Sequence, residues 1–277
     1  MKIRFGPAGK PVGFKGPMEK VPSYLAEIGL DALEYEAVRG VNIREEKARL
    51  LGEEAEKHGV LLSLHAPYFV NLAAEKQETV EASIRRIVQS LQAAEWMNAY
   101  IVVFHPGYYK GLSREEALKR TIEALRRAWD EARSLGVVRP WLGPETTGKT
   151  SQIGSLEDLA EICSAVERCR PTVDWAHLYA RSEGADIVSK EDVVRVIDFV
   201  EKHFGTEALK PLHQHFSRIE YGRGGEKRHH VMAAQEYGPE FRHICGALKE
   251  LGVNSVIISE SPLLDKDALV MKEICGT

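Results

Sequence analysis

Apolar positions along the chain follow two alternating rhythms. Short runs of β-branched and aliphatic residues are separated by longer stretches in which apolar positions recur every three or four residues. The short runs predict eight strands, over residues 3–5, 32–35, 60–64, 100–104, 140–143, 172–174, 209–216 and 255–259. Helical spacing covers 44–58, 75–96, 114–135, 156–168, 190–204 and 239–251. Ser113 before Glu116 and Ser155 before Asp158 have the spacing of helix N-terminal caps, and Gly136 and Gly252 stand where left-handed helix ends are common. Strands alternating with helices build parallel βαβ units, and eight of them close into an α/β architecture, the (β/α)8 TIM barrel. No linker rich in Pro, Gly or Ser divides the chain, so one domain over residues 1–277 is expected. Gly6-Pro7-Ala8-Gly9 is a poor match to the glycine-rich turn of a doubly wound sheet.

Composition narrows the class without changing the fold. With 44% hydrophobic and 28% charged residues the chain buries a core and solvates its surface, which excludes global disorder. No apolar run reaches the roughly 18–20 residues of a membrane span. Met1-Lys2-Ile3-Arg4 leads into a strand instead of a signal-peptide core, so a cytoplasmic protein with no membrane contact is expected, and it is taken as a monomer. A formal charge of −4 argues against coating nucleic acid by bulk electrostatics but allows a local basic groove. Cys163, Cys169, Cys245 and Cys275 have no Cys-x-x-Cys spacing and read as packing residues.

In a barrel the functional face lies at the C-terminal ends of the strands. Six residues that finish apolar runs there are potential metal ligands: His65, His105, Glu145, Asp174, His215 and Glu260, with His177 three residues past Asp174. Three imidazoles and three carboxylates at one barrel mouth lose hydration, and the carboxylates repel one another. Divalent cations supply the compensation. His and carboxylate without thiolate suit zinc, manganese or iron, and a bridging Glu145 suits two metals about 4 Å apart.

The ordered series His65-Ala66-Pro67-Tyr68-Phe69-Val70-Asn71-Leu72, Phe104-His105-Pro106-Gly107, Pro144-Glu145-Thr146-Thr147-Gly148, Val173-Asp174-Trp175-Ala176-His177, His215-Phe216-Ser217, Arg228-His229-His230 and Ile258-Ser259-Glu260-Ser261 resembles the endonuclease IV family of apurinic/apyrimidinic endonucleases, within the xylose-isomerase-like barrels. The resemblance implies one metal on His65, His105 and Glu145, a second on Glu145, Asp174, His215 and Glu260, and a third on His177 and His229. Zinc is the expected ion and manganese the alternative. The family adds an Asp two residues before the second of those histidines, where this chain has Lys227; Glu226 replaces it if the loop shifts by one residue, and otherwise the third site is weak or absent.

The implied reaction is hydrolysis of DNA 5′ to an abasic site, leaving a 3′-hydroxyl, with Glu145 and Glu260 as catalytic carboxylates. Tyr68 and Phe69 resemble residues that wedge into the stack beside the flipped nucleotide, against the plain alternative that both rings pack beneath their loop; Arg39 is a weaker candidate for the same groove. Lys149 and Arg181 read as phosphate contacts or, more simply, as solvated charges. The glycine-rich basic stretch at residues 221–228 reads equally as a backbone-touching loop or a solvated turn.

Two other functions stay open. A single-metal sugar or keto-acid isomerase or epimerase of the same barrel group would use Glu145, Asp174, His177, His215 and Glu260, but has no need of His65, His105 and His229. A binder of damaged DNA that does not cut is the third, and Lys227 sustains it.

Overall fold

The computed structural model describes residues 1–276 and contains all eight barrel strands. They are Ile3–Pro7, Ala32–Glu36, Leu61–His65, Ile101–Phe104, Trp141–Pro144, Thr172–Asp174, Leu212–Phe216 and Ser255–Ser259, numbered first to eighth below. Strands two to five form one parallel ladder, and strands six, seven, eight and one form another. The ladders meet at two seams carried by shorter contacts: Ala8 bridges Glu34 at one, and Leu142 and Glu145 bridge Cys169 and Thr172 at the other. At the first seam Asp31 N donates to Phe5 O at 3.1 Å and Gly9 N to Glu34 O at 2.8 Å. Gly6 permits this approach, since a Cβ there would lie 1.8 Å from Ala32 O.

Strands buried on both faces read as continuous apolar runs, which is why the pattern located them. The seventh strand is shorter than expected, beginning at Leu212, because 206–209 forms a 3-10 turn and Pro211 lacks the N–H a ladder needs. Helices α2 (Glu45–Lys57), α3 (Gln77–Trp96), α4 (Arg114–Ser134), α5 (Leu156–Ala165), α7 (Lys190–Phe204) and α8 (Phe241–Leu251) lie within the expected segments. In α4 the buried positions Ala117, Leu118, Thr121, Ala124, Leu125, Ala128, Trp129 and Ala132 make one face. Ser113 accepts from Glu116 N, Ser155 and Asp158 form a reciprocal capping box, and Gly252 takes the left-handed conformation. The pattern missed α1 (Val21–Glu27), α6 (Trp175–Arg181) and α9 (Asp265–Cys275). The first two span under two turns, and α6 follows its strand with no polar spacer to mark the change of period.

The cysteines correct one expectation. Cys245 and Cys275 are buried packing residues, yet they also form a disulfide that ties α8 to α9, and Cys163 is bonded to Cys169. Cys245 and Cys275 are 30 residues apart and meet only through the packing of two helices, while Cys163 and Cys169 are 6 apart, a spacing that by itself marks no pair. Among the described residues no helix is long and apolar enough to cross a membrane.

Candidate metal centre

Strand geometry brings the expected ligands to one mouth. His65, Asp174 and His215 lie at or near the ends of the third, sixth and seventh strands, while His105, Glu145 and Glu260 each follow a strand by one residue. Glu145 is fully buried at the centre. Its Oε2 lies 3.2 Å from His65 Nε2 and 3.1 Å from His105 Nε2, and its Oε1 3.1 Å from His177 Nδ1 and 3.4 Å from His215 Nδ1. His215 Nδ1 also approaches Glu260 Oε1 at 3.2 Å, and Asp174 Oδ2 lies 3.6 Å from His177 Nδ1. Glu145 Oε1, Asp174 Oδ2 and His215 Nδ1 are buried without a well-aligned hydrogen bond. Such atoms are costly in a protein interior, and bound cations would satisfy them; the imidazole whose ligand atom lies within 4.8 Å of those of Glu145, Asp174 and Glu260 is His177, while His215 groups with Glu34 and His213. The donor set therefore fits divalent metals.

Hydrogen bonds behind the site select which ring nitrogens face it. His65 Nδ1 is 2.7 Å from Ala66 O, which leaves Nε2 toward Glu145 and His105. His177 Nδ1 is 2.9 Å from Thr146 O, and its backbone N–H donates to Asp174 Oδ1 at 2.6 Å, the first-turn cap of α6. His177 Nε2 then points toward Glu226 Oε2, at 3.5 Å. Ligand atoms of His177, Glu226 and His229 all lie within 4.8 Å of one another.

Glu226 occupies that position because the hairpin Arg218–Gly222 and Gly225–His230 carries a bulge. Glu220 pairs with Arg228, but Tyr221 pairs with Glu226, so Lys227 is the extra residue and points out, 3.6 Å from Glu220. The hairpin tip is fastened by Glu226 N donating to Gly148 O at 3.0 Å, and a Cβ on Gly225, at φ +108°, would lie 1.9 Å from that oxygen.

The charges are strongly coupled to these contacts. Burial by itself depresses the His65 imidazolium, but the carboxylates of Glu36, Glu145 and Glu34 together hold it up to about 10. His177 and His215 are likewise raised against their burial, chiefly by Asp174 and by Glu34 respectively. Burial raises Asp174 and Glu36 to about 8, whereas for Glu260 the neighbouring His215 outweighs burial and lowers it to about 2.

Above the site lies a cavity of about 210 Å³ lined by Tyr68, His105, Tyr108, Lys149, Gln152, His177, Glu226, His229 and Glu260. Tyr68 is 45% and Phe69 61% exposed, so Phe69 does not pack beneath its loop, while Tyr68 leans on His65 with ring centroids 5.0 Å apart. Arg39 is exposed after the second strand. Arg181 is half-buried, and its Nη1 donates to the carbonyls of Thr147, Lys149 and Gln152 and holds that loop. Lys149 faces the cavity. Sequence reasoning missed Tyr108 and Gln152 there, the buried Glu34 and His213 within the strands, and the half-buried Glu36 at the end of the second; polar side chains at alternate positions of an interior strand were the available signal.

Residues 22–274 match the xylose isomerase-like TIM barrel family. The chain is 36% identical over 267 residues to an uncharacterized protein of Methanocaldococcus jannaschii, covering 96% of this chain and 94% of that one. It is 25% identical to a probable endonuclease 4 of Halothermothrix orenii, covering 95% and 92%. Two solved structures share the fold: a D-tagatose 3-epimerase-like protein (TM-score 0.74, 22% identity, 100% and 96% covered) and endonuclease IV from Thermus thermophilus (TM-score 0.72, 23% identity, 99% of each). The barrel, its strand-end imidazoles and carboxylates, and the match over most of its length make this chain a member of the xylose isomerase-like TIM barrel family.

Proposed function

We propose that the chain is a metal-dependent phosphodiesterase of the endonuclease IV kind, acting in DNA repair on abasic sites, with Glu145 and Glu260 as its catalytic carboxylates. The observation that carries the reading is the surplus of histidines. Asp174, His215, Glu260 and Glu145 suffice for one cation, yet His65 and His105 converge on the other oxygen of Glu145, and His177 and His229 flank Glu226. In this reading His65, His105 and Glu145 hold one ion, Glu145, Asp174, His215 and Glu260 a second, and His177, Glu226 and His229 a third. Bound zinc or manganese supplies an activated water and neutralises charge on the phosphate as it is attacked.

The protein's own groups then orient the substrate. Lys149 on the cavity wall is placed to meet a phosphate, and the exposed ring of Phe69, with Tyr68 and Arg39, offers a stacking edge beside a site with a missing base. Glu226 at the third position supplies the carboxylate whose loss was the argument for a non-cleaving binder.

The epimerase reading retains one supporting observation, the similarity in fold to a D-tagatose 3-epimerase-like protein. There Glu145 and Glu260 would exchange protons with a substrate carbon beside one metal. The separating experiment is incision of a labelled duplex carrying one abasic-site analogue by zinc- or manganese-loaded protein, with a chelated control. Cation-dependent 5′ incision that disappears in His105→Ala supports the nuclease. Absence of incision, with ketose epimerisation that survives His105→Ala, selects the epimerase.

A further inference from the structure

Below the mouth, on the far side of His215, lies a set of polar groups, buried but for the partly exposed Tyr100, that neither functional reading uses. Glu34, in the middle of the second strand, is 0% exposed. Its Oε2 accepts from Ser63 Oγ at 2.7 Å and lies 2.9 Å from His213 Nε2, whose Nδ1 is 2.5 Å from the Tyr100 hydroxyl. Its Oε1 lies 2.8 Å from His215 Nε2, close enough for a hydrogen bond but not aligned as one here, and neither atom has another partner among the described residues. His213 and His215 are two apart on one strand, so both side chains enter the barrel on the same face.

A carboxylate at this depth is expensive unless every oxygen is engaged, and it requires a reason to be there. The reason lies in the two nitrogens of His215. Its Nδ1 faces Glu145 and Glu260, so a cation held among them needs that nitrogen unprotonated and the ring proton on Nε2. An acceptor beside Nε2 fixes that tautomer, fixes the ring plane and strengthens the ligand. We propose that Glu34 is a positioning residue for His215, itself held by Ser63 and by His213, with Tyr100 closing the chain. With Nε2 of His213 donating to Glu34, Nδ1 accepts from the Tyr100 hydroxyl, and every group in the row has one consistent role.

The inference rests on the metal-centre reading but is independent of whether the reaction is hydrolysis or epimerisation. The test is titration of chelated, metal-free protein with Co²⁺ followed by visible absorption, with Zn²⁺ affinity from competition against a chromophoric chelator. Glu34→Gln should bind the same number of equivalents as the unaltered protein, one of them about 10- to 100-fold more weakly and with a shifted cobalt spectrum. Circular dichroism of the metal-free forms controls for folding. If Glu34→Gln does not fold, Tyr100→Phe and Ser63→Ala each remove one bond from the row and should weaken the same equivalent by a few-fold. Unchanged affinity and spectrum in the folded variants would overturn the proposal. Loss of a whole equivalent, with the rest unaffected, would overturn it too, because Glu34, His213 and His215 would then be a metal site in their own right. If the unaltered protein takes up no cation, the metal centre itself fails and the positioning role with it.

Discussion

Both oxygens of Glu145 are shared among histidines, and this sets the behaviour of the site toward protons. Protons and cations compete for the same nitrogens and oxygens, so cation uptake at neutral pH displaces protons. His65 illustrates the sign. Its ordinary value is 6.5 and the folded value about 10, so its contribution to stability is complete below about pH 6.5 and is lost as pH rises through about 10. Asp174 and Glu36, raised to about 8, act in the same direction. The thermal midpoint of chelated protein should therefore fall between pH 6.5 and 10, while zinc-loaded protein holds its midpoint; scanning calorimetry across that range checks this, and parallel profiles would count against the centre. The same residues show what the sequence could reveal. His65, His105, Glu145, Asp174, His215 and Glu260 were legible because each punctuates an apolar run at a strand end. Glu34 and His213 were not, since they sit inside strands and not at their ends, and Glu36, which ends the second strand, was passed over; only the closed barrel shows what they face.

Among elements, the hairpin spanning 218–230 departs furthest from its sequence reading. As a string, 221–228 is glycine-rich and basic, with nothing to distinguish a mobile loop from a solvated turn. The bulge decides it, by turning Lys227 to the exterior and aiming Glu226 at His177 and His229. In the proposed reading the third carboxylate is thus supplied one position earlier along the chain, a shift that an ungapped comparison of motifs registers as a loss. Removing Glu226 by Glu226→Gln should lower bound metal by one equivalent and reduce activity by about 10²-fold or more, as loss of one electrostatic contact to the reacting group does. Lys227→Ala should leave both unchanged. Metal analysis and initial rates on the two variants test the assignment, and the reverse pattern would place the ligand at Lys227's position in the loop. The helices were read more completely than the hairpin, because their capping residues and buried faces are local signals, whereas the hairpin's course depends on its clasp against Gly148.

At the scale of the molecule, the two seams divide the barrel into halves that are each well laddered and less well joined to one another. One half contributes His65, His105 and Glu145, and the other contributes Asp174, His215 and Glu260. In the proposed reading a cation shared by Glu145 and the second set would cross-link the halves, as the contact of Glu34 with His215 does. Such a centre would govern cooperativity as well as chemistry. With metal bound, the barrel should open as one unit, and hydrogen exchange should report similar protection on both sides of each seam. Once chelated, the two ladders should exchange as separate foldons, with the amides of Gly9 and Thr146 at the seams losing protection first. A cell short of metal would then hold this protein half-latched, its ladders intact and its mouth open to proteases, so that the supply of cations sets how long the chain survives.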